Sequence, residues 1–187
     1  MALTPSKMLP LGTPAPEFTL SEPASGGQLS LADVRGPVAT LVMFICNHCP
    51  YVKHVNPELV RVARDYAGRG VGMVAISSND ANAYPDDAPD RMAIAAQQLG
   101  YTFPYLYDAE QSAAAAYAAA CTPDFYLFDA DLRLAYRGRL DASTPGNGQP
   151  LNGADLRAAL ESVVTGRAPA ADQLPSVGCN IKWRKAS

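Results

Sequence analysis

The chain is poor in several things, and each shortage excludes a class of protein. Four cysteines among 187 residues are too few to staple a small secreted disulfide scaffold. No apolar stretch approaches the ~20 residues that cross a bilayer, so a membrane span is not expected. The start, Met1-Ala2-Leu3-Thr4-Pro5-Ser6-Lys7, lacks a basic segment leading into an apolar one, and a cytoplasmic location is the expectation. The formal net charge is only −3, and basic residues form no block longer than Lys182 to Lys185, which argues against a nucleic-acid partner. Histidine occurs only as His48 and His54, and a lone C-x-x-C pair cannot build a four-ligand zinc site unaided. There is no internal repeat.

What remains is a globular composition, 48% apolar and 18% charged, of a length that suits one domain with a sizeable core. One stretch dominates it. Val38 to Ile45 runs almost wholly apolar into Cys46-Asn47-His48-Cys49-Pro50. An unbroken apolar run suits a strand covered on both faces. After it, Val52, Val55, Leu59, Val62 and Tyr66 recur at helical steps of three and four. The cysteines therefore sit at or near a helix N-terminus, one turn apart and close enough to bond to each other. Backbone N–H groups and the helix dipole there favour a thiolate, which this reading assigns to Cys46, with Cys49 as its resolving partner.

The rest of the chain frames that boundary. Residues 1–36 read as an arm in which Gln28-Leu29-Ser30 returns as a hairpin after Gly26-Gly27, with Ser30 capping one helical turn. A helix from about Pro50 to Ala67 should be kinked by Pro57. Val71 to Ser77 reads as a buried strand, and Ser78 to Asp90 as a loop whose Asp86, Asp87 and Asp90 face solvent. Pro89 opens a helix carrying Met92, Ala96 and Leu99 inward. A short strand spans Phe103 to Tyr107, and Asp108 caps an alanine-rich helix from Ala109 to about Ala120. Asp124 to Phe128 and Leu132 to Tyr136 form a strand hairpin, and Asn152 caps a final helix ending at Gly166. Residues 167–187 read as a tail without periodicity, anchored by Trp183. The sum is a single α/β domain over 1–187, a mixed β-sheet with helices on both faces.

These segments carry a family likeness. A strand ending in C-x-x-C at a helix start, with Thr122-Pro123 before a later strand hairpin, resembles the thioredoxin superfamily. More narrowly, the chain resembles its redoxin branch, grouped with alkyl hydroperoxide reductase and thiol-specific antioxidant, and a bacterial subgroup within it. The likeness rests on Gly12 to Phe18, Cys46 to Tyr51, Ile76 to Asn79, Thr122 to Phe125, Tyr136 to Arg139 and Gly178 to Trp183. It implies a thioredoxin fold and thiol–disulfide oxidoreductase activity. Cys46 would be the attacking cysteine and Cys49 the resolving one. Asn47, His48, Thr122 and Pro123 would support them, with Pro123 as the family's cis-proline facing the dithiol and leaving a backbone edge open to substrate. No cofactor is implied beyond the Cys46–Cys49 disulfide. The implied partners are protein or small-molecule disulfides or dithiols and a thiol reductant.

Three departures stand out. Ile45 precedes Cys46 where thioredoxins have tryptophan, Thr40 replaces a buried aspartate, and Pro50 after Cys49 threatens the first helical turn. His48 between the cysteines is expected to stabilise the Cys46 thiolate and make the disulfide more oxidising. Cys121 reads either as an extra thiol near the pair or as a small buried hydrophobe, Cys179 as a structural or surface thiol, and His54 as a helix-surface residue. Two alternatives compete. A peroxiredoxin-like peroxidase needs a Pro-x-x-x-Thr/Ser-x-x-Cys frame, which fits neither cysteine: on Cys49 it places Cys46 and Val42, on Cys46 it places Met43 and Ala39. A copper-delivery or other metal-binding module of the same fold would use Cys46, Cys49 and a histidine, one residue short of the usual C-x-x-x-C.

Overall fold

The structure, a computed structural model, describes residues 3–185, so the extreme ends of the expected arm and tail lie outside the described residues. In chain order its elements are β1 (Leu3–Pro5), β2 (Thr19–Glu22), β3 (Gly27–Ser30), α1 (Leu31–Val34), β4 (Ala39–Phe44) and α2 (Pro50–Tyr66). Then come β5 (Val71–Ser77), α3 (Pro89–Leu99), β6 (Tyr105–Tyr107), α4 (Ser112–Ala116) and β7 (Cys121–Thr122). The chain closes with β8 (Asp124–Phe128), β9 (Leu134–Gly138), α5 (Ala154–Val164) and β10 (Val177–Asn180).

Seven strands form one mixed sheet in the order β3-β2-β6-β5-β4-β8-β9. β4 runs parallel to β5 and antiparallel to β8. The apolar run of β4 is explained by its central place: all six residues are buried. Its side chains alternate between faces. Leu41 and Met43 pack with Leu59 of α2 and Leu156 and Leu160 of α5. Val42 and Phe44 join Leu31 of α1, Tyr117 and Tyr126 on the other face. Each such side chain contributes roughly 1.5–3 kcal/mol by leaving water, so no polar residue is tolerated at either face without a partner. Thr40, buried in the middle, accepts the Gly36 N–H at 3.2 Å.

Local chemistry behaves as read around this centre. The hairpin pairs Thr19 with Ser30 through Glu22 with Gly27. Ser30 and Asp33 satisfy each other's backbone N–H in a capping box, which nucleates the single turn of α1. Helix α2, with Pro57 inside it where a kink was expected, is one continuous element, followed by Gly68 and Gly70 at positive φ.

Four expectations are corrected. The alanine-rich helix shrinks to Ser112–Ala116, because Gln111 and Ala118 take left-handed angles on either side of it. Helix propensity yields there to the burial of Tyr117, whose ring packs against Phe44, Tyr126 and Phe128. Leu99 is exposed rather than inward, as the last residue before the Gly100 cap. The strand around Phe103 keeps only Tyr105–Tyr107, since Pro104 has no N–H to pair. Finally, residues 167–187 are not without structure: β10 lies between β1 and β7 in a second, three-stranded sheet. Four residues, one of them glycine, carry no readable period; pairing on both edges holds them. Trp183 is 46% exposed. The anchor is the backbone beside it, where Lys182 N–H donates to Asn79 Oδ1 at 2.8 Å and Lys182 C=O accepts from Asp80 N–H at 2.9 Å.

Candidate active site: a thiol cluster at the end of the central strand

Strand β4 delivers Cys46 to the C-terminal end of the sheet, its register prolonged by Ile45 N–H donating to Ile76 C=O at 3.0 Å. Three residues later Cys49 is the N-cap of α2 with extended angles, φ −68° and ψ 123°. Pro50 therefore does not distort the first turn. It occupies the first helical position, where its missing N–H costs nothing, and it favours the extended angles that an N-cap needs.

Cys49, not Cys46, is thus the sulfur at the helix terminus. Cys46 and Cys49 hydrogen-bond each other. That bond, then the Cys179 thiol, the Val52 N–H and the Thr122 side chain, hold Cys49 well below the usual thiol range despite its burial. The same bond, burial and the Asp87 carboxylate push Cys46 well above it. Both thiols are almost closed to solvent, Cys46 at 2% and Cys49 at 0% exposed.

The Thr122–Pro123 peptide is cis, and Thr122 touches both thiols. Its Oγ1 lies 3.5 Å from Cys46 Sγ, and its carbonyl oxygen 3.3 Å from Cys49 Sγ. The backbone edge at Thr122 is not open, however. β10 occupies it, with Cys179 opposite Thr122 and Asn180 opposite Cys121. The approach is close enough that a Cβ on Gly178 would lie 2.0 Å from the Thr122 carbonyl oxygen. This pairing sets Cys179 Sγ 2.8 Å from Cys49 Sγ, well beyond the ~2.05 Å of an S–S bond. Cys179 is thus neither on the surface nor remote from the pair. Burial, then the bond to Cys49, pushes its thiol up to about 12.

Asn47 and His48 bridge the cysteines, and both are held by Asp87. Asp87 was expected in a solvated loop, yet it is fully buried. Its Oδ1 accepts from the N–H groups of Asn47 at 2.8 Å and His48 at 3.2 Å. Its Oδ2 lies 2.5 Å from His48 Nδ1 and accepts from Asn79 Nδ2 at 2.8 Å. Burial alone would raise Asp87, but the bonds from His48 and Asn79 hold it below the usual carboxylate range. The bond to Asp87 in turn raises His48 above its ordinary value, against burial. The imidazole stacks on Tyr84 at 5.3 Å, and Tyr105 donates its O–H to Asn47 Oδ1 at 3.1 Å. Nothing in the sequence pointed to Asp87, Tyr84 or Tyr105 as site residues, because their partners are distant in the chain; Asn79 and Cys179 lie inside segments of the family likeness, without a role assigned to them.

The remaining candidates lie apart. Cys121 is buried on the neighbouring register position of β7, with Sγ 3.7 Å from the Pro123 carbonyl and 4.0 Å from that of Ser176. Burial pushes its thiol far up. His54 Nε2 lies 2.7 Å from Ser143 Oγ, a partly buried link between α2 and the loop after β9. One cluster has the makings of a metal site: Cys46, His48 and Asp87 each present a ligand atom within 4.8 Å of the others. A concavity of about 650 Å³ around Val38, Asp131 and Arg167 opens at the other end of β4, away from these thiols. Among the described residues no helix is long and apolar enough to cross a membrane.

Comparison with known proteins bears on the family and the fold. An uncharacterized conserved protein from Geobacillus kaustophilus is 53% identical, with a TM-score of 0.98 over 100% of this chain and 99% of that one. The thiol:disulfide interchange protein DsbE of Allochromatium vinosum is 26% identical over 134 residues, 69% of this chain and 67% of that protein. A thiol:disulfide interchange protein DsbE from Chlorobium tepidum, 18% identical, superposes with a TM-score of 0.66 over 84% of this chain and 99% of that one, which shows the shared thioredoxin fold. The model of the AhpC/TSA family matches residues 11–137, from the arm to the β8–β9 hairpin and through the whole dithiol region, and the chain belongs to that family.

Proposed function

We propose that the protein is a thiol–disulfide oxidoreductase whose working couple is Cys46–Cys49. The observation that carries this reading is the pair of buried thiols three residues apart, Cys49 at the N-cap of α2, both in contact with Thr122 beside the cis Pro123. The family, and the DsbE name of a relative, support the reaction class.

The geometry supports a division of labour between the two sulfurs. Cys49 is enclosed by Cys46, Cys179 and Thr122, so the outer sulfur, Cys46, meets the substrate. As Cys46 attacks a disulfide R–S–S–R′, its proton passes along the existing hydrogen bond to the Cys49 thiolate. A mixed disulfide Cys46–S–S–R forms and R′–S⁻ leaves, taking a proton. Loss of the Cys49 proton then lets that sulfur attack Cys46, which forms Cys46–Cys49 and expels R–S⁻. Two electrons pass from the dithiol to the substrate, and the reverse path oxidises a substrate dithiol. Cys49 thus serves as base first and nucleophile second, which answers for the aspartate absent at Thr40. The bond to Asp87 raises His48, and a proton on its imidazole favours a charge on Cys49.

The test is trapping. C49S incubated with a small aromatic disulfide should accumulate a mixed disulfide at Cys46, and the native protein should release two equivalents of thiol per dithiol. If C49S carries no adduct at Cys46 even at a pH high enough to ionise that thiol without the Cys49 base, the assignment of roles is wrong. A second reading, metal binding, is favoured by the Cys46–His48–Asp87 cluster. Stoichiometric zinc or copper on the reduced protein, lost in C46S, would support it; no retained metal would dismiss it.

A further inference from the structure

The Cys46–Cys49 couple leaves one feature unused: a third sulfur in the same cluster, supplied by a strand 130 residues further on. We propose that Cys179 is a third redox thiol, which exchanges with the Cys46–Cys49 disulfide by attacking Cys49 and forming Cys49–Cys179.

Three observations converge on it. The Cys179 and Cys49 sulfurs lie 2.8 Å apart. The strand that carries Cys179 pairs antiparallel with Thr122, on the backbone edge that the sequence reading left open to an extended substrate. β10 therefore stands as a substrate strand would, and presents its own cysteine to the dithiol. Lastly, the placement is built. Gly178 permits the approach to the Thr122 carbonyl, β1 pairs the outer edge of β10, and Lys182 is fixed to Asn79 just beyond it.

The exchange balances without any external oxidant. Cys179 loses its proton and its thiolate attacks Cys49 Sγ. The Cys49–Cys179 bond forms as Cys46–Cys49 breaks, and Cys46 leaves as a thiolate that takes up a proton. The protein is neither oxidised nor reduced in this step. Its effect is to move the disulfide inward and return Cys46 to the attacking state, so that one chain holds an internal disulfide and a mixed disulfide at once.

The proposal rests on the thiol–disulfide reading, and the two are tested apart. Native protein and the C46S and C179A variants are equilibrated in glutathione buffers of several redox ratios, acid-quenched, alkylated and mapped by mass spectrometry without reduction. Native protein should show both Cys46–Cys49 and Cys49–Cys179, in a ratio to each other that does not change with the glutathione ratio, because their interconversion is redox-neutral. C46S, with three of four cysteines left, should lose two titratable thiols to a Cys49–Cys179 link, and C179A should show Cys46–Cys49 alone. Native protein with Cys46–Cys49 but no Cys49–Cys179 at any ratio, together with C46S carrying only glutathione adducts, overturns the third thiol and leaves the parent reading intact. Native protein with no Cys46–Cys49 link overturns the parent reading and this one with it.

Discussion

Replacing Asp87 by asparagine should unfasten the C-x-x-C loop, and the cost follows from the bonds involved. Asp87 is fully buried and accepts from four donors: two backbone N–H groups, His48 and Asn79. Asparagine keeps one oxygen for the two backbone groups but turns an NH₂ toward the Asn79 NH₂, which orphans a buried donor at about 1–3 kcal/mol. The charge-assisted bond to His48, worth about 1.5–3 kcal/mol, is lost as well. D87N should therefore be less stable by roughly 3–5 kcal/mol, a fall of roughly 6–20 °C in Tm for a chain of this size. The loss should depend on pH. His48 is raised above its ordinary 6.5, so its share is complete below pH 6.5 and disappears as pH climbs through the raised value. Asp87 is lowered below 3.8, so its share is complete above pH 3.8 and disappears as pH drops through the lowered value. Urea melts of both proteins at pH 5 and pH 9 measure the difference, which should be larger at pH 5. A deficit under about 1 kcal/mol, or one of equal size at both pH values, refutes the buried ion pair.

Three other outcomes follow from the same contacts. H48F keeps a ring against Tyr84 but removes the cation near Cys49; the pH midpoint of thiol alkylation should rise by about one unit, and an unmoved midpoint would take His48 out of the electrostatics. Burial pushes Asp124 up to about 7, so the native protein should lose stability as pH rises from about 4 through 7, and D124N, which mimics the protonated acid, should flatten that slope in pH-dependent melts. G178A places a methyl group on the Thr122 carbonyl, so β10 should lift and iodoacetamide should label Cys49 at least several-fold faster; equal labelling rates would mean that the strand does not guard the dithiol.

How much of this was legible depended on how far each partner lies along the chain. The run from Val38 to Ile45, the helical spacing after it and the Ser30 cap are written in local pattern, and β5 spans the residues read for it, Val71–Ser77. The pairing of Cys46 with Cys49 needs only one turn of chain. Asp87 meets His48 across 39 residues, and Cys179 meets Cys49 across 130. Neither carries a period, because each is placed by one contact rather than by a face. Asp87 even looked solvated, flanked as it is by Asp86, Pro85 and Pro89. The helix-terminus position expected of Cys46 belongs to Cys49 for a subtler reason. Pro50 fixes the first helical position, which makes Cys49 the cap and leaves Cys46 outside the helix field.

The separation between Cys49 and the strand that shields it has a consequence for biosynthesis. At about 5–20 residues per second, a ribosome needs on the order of ten seconds to travel from one to the other. Throughout that interval the nascent dithiol is unroofed and exposed to whatever small thiols and oxidants surround it. The dithiol is therefore open to reaction with those small molecules before β10 arrives to cover it.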